Sequence, residues 1–322
     1  MDILQKKGWS VSFLADNPNI KYDIVVFNKT HNNRGLEEAR RVKDSGAKII
    51  FDLCDNYFYN PHQLPEIDRA QYIILQMMRL ADKNVASSEF LAACMAEYIA
   101  SEQINIIEDA VDELLPLATN LADYWNQLRK YRQLSEKIAC WRKEGKICLV
   151  WFGIAGGGKA DYGIGDLAKI EAILNDPKFR KRITLTAISN DNKRFQDITA
   201  KWDIPVAYLP WHTSTFSHAF KLHDISVIPI SKNPFTLAKT NNRLALSLRL
   251  GLPVIADSIP SYLPFSKTCV LDDWEKGLDV YVNNIEQRFS DVGQGQRLIV
   301  ENWSTAGISK QWENLFYKVV KQ

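Results

Sequence analysis

At 322 residues, with 46% hydrophobic and 24% charged residues, the chain has the composition of a folded globular protein and the length for about two domains of roughly 150 residues. Lysine plus arginine number 40 against 38 aspartates and glutamates, a balance that excludes a protein built to ride on a nucleic-acid backbone, so an anionic ligand has to be met locally. The five cysteines (Cys54, Cys94, Cys140, Cys148, Cys269) form no CxxC pair, which argues against a disulfide framework or zinc site and for a reducing, cytoplasmic setting; MDILQKKGWS lacks a signal-peptide core, and the most apolar run, residues 147–155, is too short to span a bilayer.

Short apolar runs then alternate with helical periodicity. SVSFLA (10–15), DIVVF (23–27), AKIIFDL (47–53), NVASS (84–88) and INIIED (104–109) are continuous runs, the pattern of strands covered on both faces of a parallel sheet. LEEARRVKDSG (36–46) predicts an amphipathic crossover helix stopped by Gly46, and SSEFLAACMAEYIAS a helix capped by Ser87 or Ser88. Across residues 112–145, Trp125, Leu128, Tyr131, Leu134, Ile138 and Trp141 recur every three or four positions, which predicts a long amphipathic helix closing the first domain. Its cations, Arg129, Lys130, Arg132, Lys137, Arg142 and Lys143, are alternatively a face for anionic lipid headgroups.

A second series follows: KICLVWFG (146–153), ITLTAIS (183–189), PVAYLPW (205–211), ISVIPI (225–230), PVIAD (253–257) and TCVLDD (268–273). This spacing is that of a doubly wound sheet, so the expected fold class is α/β with two Rossmann-like doubly wound domains, residues 1–145 and 146–322. The last segment places Trp303, Ile308, Trp312, Leu315, Phe316 and Val319 on one stripe of a closing helix.

Ligands of open parallel sheets bind beyond the carboxyl ends of the strands, which selects three loops. In WFGIAGGGKADYGIGD, Gly153, Gly156, Gly157, Gly158, Gly163 and Gly165 surround Lys159, so backbone amides and a point charge can approach a phosphate. The order is neither G-x-G-x-x-G nor a P-loop, because Ala160 follows Lys159. In NPFTLAKTNNRLALSLRLGLPVIAD, Thr240 or Asn241 is placed to cap a helix that Gly251 stops. Lys239 precedes that helix and Asn242 and Arg243 open it; cations set against a helix dipole point to an anion there. In FDLCDNYF, Asp52, Asp55 and Asn56 follow a strand, with His31 after the preceding one and His62 in the next loop; Asp55, then His31 or Asp52, are the candidate general bases. His212, His218 and His223 read as capping and surface residues. There is no G-x-S-x-G elbow and no H-E-x-x-H cluster.

Two βα series in tandem, a glycine-rich loop opening the second, K-x-x-x-R-x-x-x-x-x-x-x-G-x-P-V-I-A late in it and a tryptophan-bearing closing helix resemble a GT-B glycosyltransferase of the group 1, family 4 type. NVASSEFLAACM, INIIEDAVD and NRLALSLRLGLPVIA match successive segments of that family. The resemblance implies domains facing a cleft, with the nucleotide-sugar on the C-terminal domain and a glycan or lipid-linked acceptor on the N-terminal one. It implies no cofactor beyond the co-substrate; the charge balance adds no nucleic-acid partner, and the basic face of residues 112–145 adds peripheral contact at an anionic inner membrane face as a further expectation. Gly153, Gly157, Gly158, Lys159, Lys239, Thr240, Asn242 and Arg243 are then the donor-binding residues. The sequence has no D-x-D motif, so the departing diphosphate would be neutralised without metal.

The sequence departs from the family in two places. The family's E-x7-E acids fall on Ala238 and Leu246, and the start near LQKKGWSVSFL corresponds to the end of the family's first helix, so its first strand is apparently missing. These departures keep two alternatives open: a non-catalytic nucleotide- or glycan-binding protein of this fold, and a sugar-nucleotide epimerase.

Overall fold

The computed structural model describes residues 2–14, 20–111, 121–157 and 162–321. The chain opens with α1 (Asp2–Lys6), β1 (Ile24–Asn28), α2 (Asn33–Asp44), β2 (Lys48–Leu53), α3 (Pro65–Leu80), β3 (Lys83–Ala86), α4 (Glu89–Ala96) and β4 (Ile104–Ile106). It continues through α5 (Leu121–Lys143), β5 (Ile147–Phe152), α6 (Glu171–Leu174), β6 (Ile183–Ser189), α7 (Asn192–Thr199), β7 (Val206–Pro210), α8 (Phe216–Phe220) and β8 (Ile225–Ile228). It closes with α9 (Pro234–Leu237), α10 (Asn242–Arg249), β9 (Val254–Ala256), β10 (Val270–Leu271), α11 (Trp274–Asn283), α12 (Ile285–Asn302) and α13 (Thr305–Val320).

The boundaries follow local chemistry. Asn32 caps α2 by accepting from the Gly35 amide at 2.9 Å, and Gly46, at φ +86°, turns the chain out of it. Ser88 caps α4 through the Leu91 amide (3.2 Å) while its hydroxyl donates to the Ala238 carbonyl (2.7 Å). Among the described residues, 10–14 do not form the expected strand. Residues 10–13 are irregular, with Phe13 65% exposed, and the stretch is held by Trp9, whose ring lies 5.5 Å from Phe316 and 5.2 Å from Tyr317 on α13.

The chain folds into two compact units, one of Met1–Ala110, Pro234–Thr240 and Glu301–Gln322, the other of Val111–Asn233 and Asn241–Val300. The first holds a parallel sheet in the order β1-β2-β3-β4. Strand alternation sends Ile49, Phe51 and Leu53 to one face, among Ile73, Ile74 and Met77 of α3. Ile50 goes to the other face, among Val85, Ile107 and the Ile308, Leu315 and Val319 stripe of α13. The closing helix therefore docks on the first sheet, not within residues 146–322. Conversely, α5, expected to close the first domain, packs Leu134, Ile138 and Trp141 against Cys148, Val150 and Leu209 of the second unit. An apolar stripe dictates that a helix docks, not which sheet receives it.

The second unit is a six-stranded parallel sheet in the order β10-β9-β8-β5-β6-β7. The strand order reverses between β5 and β8, the position at which a doubly wound sheet opens a crevice beyond its carboxyl ends. Leu149 and Trp151 pack on one face with Leu167, Leu278 and Tyr281; Cys148, Val150 and Phe152 pack on the other with Phe216 and Phe220. Burying each such side chain contributes about 1.5–3 kcal/mol, which fixes the end of β5 as a rigid platform. No described helix is long and apolar enough to cross a membrane.

Candidate functional site

At the carboxyl end of β5 the second unit holds a buried cation, Arg243, that forms no ion pair with the described residues. Arg243, in the first turn of α10, lays its guanidinium 5.2 Å from the Trp151 ring centroid and 5.4 Å from that of Phe152. Gly153 lies against the same platform: a Cβ there would press on the Trp151 ring at 3.3 Å. The Arg243 Nε and Nη2 are buried and have no hydrogen-bond partner among the described residues. Burial pulls the guanidinium pKa down from its usual value, with Tyr262 and Asp166 acting the other way. Each orphaned buried N–H costs about 1–3 kcal/mol, so the arrangement suits a site completed by an anion.

Asn241, just before α10, is 1% exposed, and its Oδ1 and Nδ2 also have no partner among the described residues. It does not cap the helix as expected. At φ −75° and ψ 3° its backbone is already near-helical, and an N-cap side chain reaches the following amides from an extended backbone.

Asp166 ties the surrounding loops together. It accepts from the Ser231 amide (3.0 Å) and hydroxyl (2.5 Å) after β8 and from the Gly163 amide (3.0 Å), and burial raises its pKa despite these bonds. Gly163 sits at φ +95°, where a Cβ would lie 2.7 Å from the carbonyl oxygens of both Ile154 and Ala155. The Ala155 amide donates to Asn190 Oδ1 at 2.8 Å. Gly157 is exposed at the top of this loop; Gly158 and Lys159 lie outside the described residues.

The first unit gathers the candidate bases at the carboxyl ends of β1 and β2. Burial alone would raise the Asp55 pKa, but Lys239, which donates to its Oδ1, and Lys29, 2.6 Å from its Oδ2, hold the carboxyl below the usual range. A carboxylate so held is a weak base, which counts against Asp55 as first choice. Lys239 also stacks 4.1 Å from the Phe235 ring centroid, so its charge is met within the first unit. Asp52 accepts from Asn28 Nδ2 at 2.6 Å, and burial raises its pKa, the direction that suits proton transfer. His31 is exposed, its Nδ1 2.7 Å from the Lys29 carbonyl and its ring stacked 5.4 Å from Tyr57.

Asp52, Asp55 and His31 thus come together, as do Gly153 and Arg243. Thr240 belongs to the first unit with Lys239, whereas Asn242 is exposed at the start of α10 in the second. Asn190, Arg194 and Asp166 are not among the residues expected from the sequence, and Asn241 is expected there only as a cap. The first two lie just beyond β6, where the strand-end rule would have found them.

No family model matches the sequence, and no curated protein sequence matches it. Among solved structures, an α,α-trehalose 6-phosphate synthase from Burkholderia multivorans is similar at 11% identity over 96% of this chain and 72% of that one, with a TM-score of 0.64. HepE from Anabaena, solved in complex with UDP, is 13% identical over 92% of this chain and 79% of its own, at 0.62. An E. coli trehalose-6-phosphate structure bound with UDP-2-fluoro glucose is 14% identical over 96% and 75%, at 0.61. The two parallel-sheet α/β units are those of the GT-B glycosyltransferase fold.

Proposed function

We propose that this chain is a glycosyltransferase taking a sugar from a nucleotide-sugar, with Arg243 on the donor diphosphate. The buried guanidinium of Arg243, whose Nε and Nη2 have no partner among the described residues, at a helix N-terminus beside the platform of β5, carries this reading. A sugar leaves as an oxocarbenium-like cation, and the departing diphosphate needs its growing charge met by groups already in place. Arg243, the amides of the loop after β5 and the α10 dipole are such groups, and they require no metal. Lys239 enters less directly, because Asp55 already answers its charge. For the acceptor, a glycan or lipid-linked hydroxyl, Asp52 takes the proton.

On α5, Arg129, Arg132 and Lys143 are exposed, and Trp125 is 61% exposed, which supports peripheral contact with anionic headgroups. Sedimentation with phosphatidylglycerol vesicles, lost in Arg129→Glu/Arg132→Glu, checks that contact; equal sedimentation of both proteins refutes it.

The function is tested by calorimetric titration of UDP and by turnover of UDP-sugars in the wild-type protein and Arg243→Ala. Binding and transfer that both fall at least 100-fold in the variant support the assignment. Tight UDP binding with no turnover on any donor identifies a binding protein, and unchanged turnover in the variant removes Arg243 from the site.

A further inference from the structure

Arg194, in the first turn of α7, is not among the groups placed on the donor, yet it holds more of the glycine loop than any other described side chain. Its Nη1 lies 2.9 Å from the Ala155 carbonyl oxygen, 3.1 Å from that of Gly156 and 3.0 Å from that of Gly157. Asp191 caps the same helix through the Arg194 amide at 3.0 Å, which fixes the base of the side chain. Gly165 gives the guanidinium its space, since a Cβ there would lie 3.2 Å from Nη2.

Three consecutive carbonyls turned toward one cation have a stereochemical consequence. In a planar trans peptide the C=O and the N–H point in opposite directions. The peptides whose carbonyls face Arg194 therefore aim the Gly156 and Gly157 amides away from it, and neither amide has a hydrogen-bond acceptor among the described residues. We infer that Arg194 is a positioning residue: it draws the carbonyl side of residues 155–157 onto itself and so presents the amide side to a phosphate group. A free glycine-rich loop samples many backbone conformations, and ordering it on binding costs affinity. Arg194 orders it beforehand, with a fan of donors that a lysine lacks. The inference rests on the donor-diphosphate reading for its ligand, but not for the loop geometry.

The test uses the full chain and two probes, UDP and uridine, which share a nucleoside and differ in phosphate. Arg194→Met is expected to keep its melting temperature within about 3 °C of the wild type, since the side chain is half-exposed. In ¹⁵N-glycine-labelled, ligand-free protein, which carries 15 glycines, the Gly156 and Gly157 signals shift or broaden. UDP affinity falls about tenfold to 100-fold, while uridine affinity changes less than twofold. Unchanged glycine signals overturn the inference, as does an equal loss for UDP and uridine. Should Arg194→Met fold poorly, Arg194→Lys serves: partial recovery of UDP affinity is expected, and full wild-type affinity overturns the claim. If the wild type binds no UDP, the donor reading fails, and the glycine signals of the ligand-free variant decide the positioning role separately.

Discussion

Replacing Arg243 by methionine should stabilise the ligand-free protein while abolishing its response to nucleotide. Two buried N–H groups, Nε and Nη2, have no partner among the described residues, and at about 1–3 kcal/mol each they penalise the fold by roughly 2–6 kcal/mol. Against this stand the contacts over Trp151 and Phe152, about 0.5–2 kcal/mol per ring. Methionine keeps an apolar stem against both rings and fills the space with a polarisable sulfur. The balance is a gain of about 1 kcal/mol, or a melting temperature higher by roughly 1–2 °C for a chain of this size. Saturating UDP should reverse the order. At a hundredfold excess over Kd the wild type gains about 2.7 kcal/mol by mass action, and the variant gains nothing. Thermal melts of both proteins with and without UDP give all four numbers. A methionine variant that melts lower than the wild type without ligand, yet still rises with UDP, would show that the guanidinium is a structural group and refute the assignment.

Asp52→Asn should lower kcat at least 100-fold with a small change in donor KM, as measured by initial rates; an unaltered kcat removes Asp52 from proton transfer. Asp55→Asn should cost about 1–2 kcal/mol at pH 7, because Lys29 and Lys239 lose their shared counter-ion. The native pKa of Asp55 is lowered, so its contribution is complete above the unfolded value of 3.8 and disappears as pH falls through the native one. The stability gap between wild type and variant should therefore narrow as pH falls below 3.8 and vanish once the native carboxyl is protonated, and a gap independent of pH would contradict the pairing. Gly163→Ala puts a Cβ 2.7 Å from two carbonyl oxygens at a backbone angle of +95°, so it should lose about 1–3 kcal/mol and weaken UDP binding; a variant that melts and binds like the wild type would show that the loop yields. Transfer should survive chelation by EDTA, and its loss with recovery on adding magnesium would assign the diphosphate charge to a metal.

The strands were legible because a parallel strand covered on both faces needs an uninterrupted apolar run, and ITLTAIS forms β6 over the residues expected. SVSFL mimics that pattern, but residues 10–14 pair with no strand among the described residues, and Trp9 beside them packs on α13 instead. Arg243 was legible because a cation in the first turn of a helix contradicts the dipole unless an anion is expected. The glycines after β5 were legible as a loop but not as separate tasks. Gly153 keeps clear of the Trp151 ring, Gly163 of two carbonyls and Gly165 of Arg194, and none of these contacts can be read from glycine spacing. The pairing of Asp55 was not legible for the same reason. Lys29 and Lys239 are 26 and 184 residues away, and together they turn a strand-end carboxylate into a paired one.

The most direct test of the central claim is the structure of this protein with UDP bound. Diphosphate oxygens within about 3.2 Å of the Arg243 guanidinium and of the Gly156 and Gly157 amides are the predicted result. A diphosphate seated on other cations, with the Arg243 nitrogens still unpartnered, would contradict it.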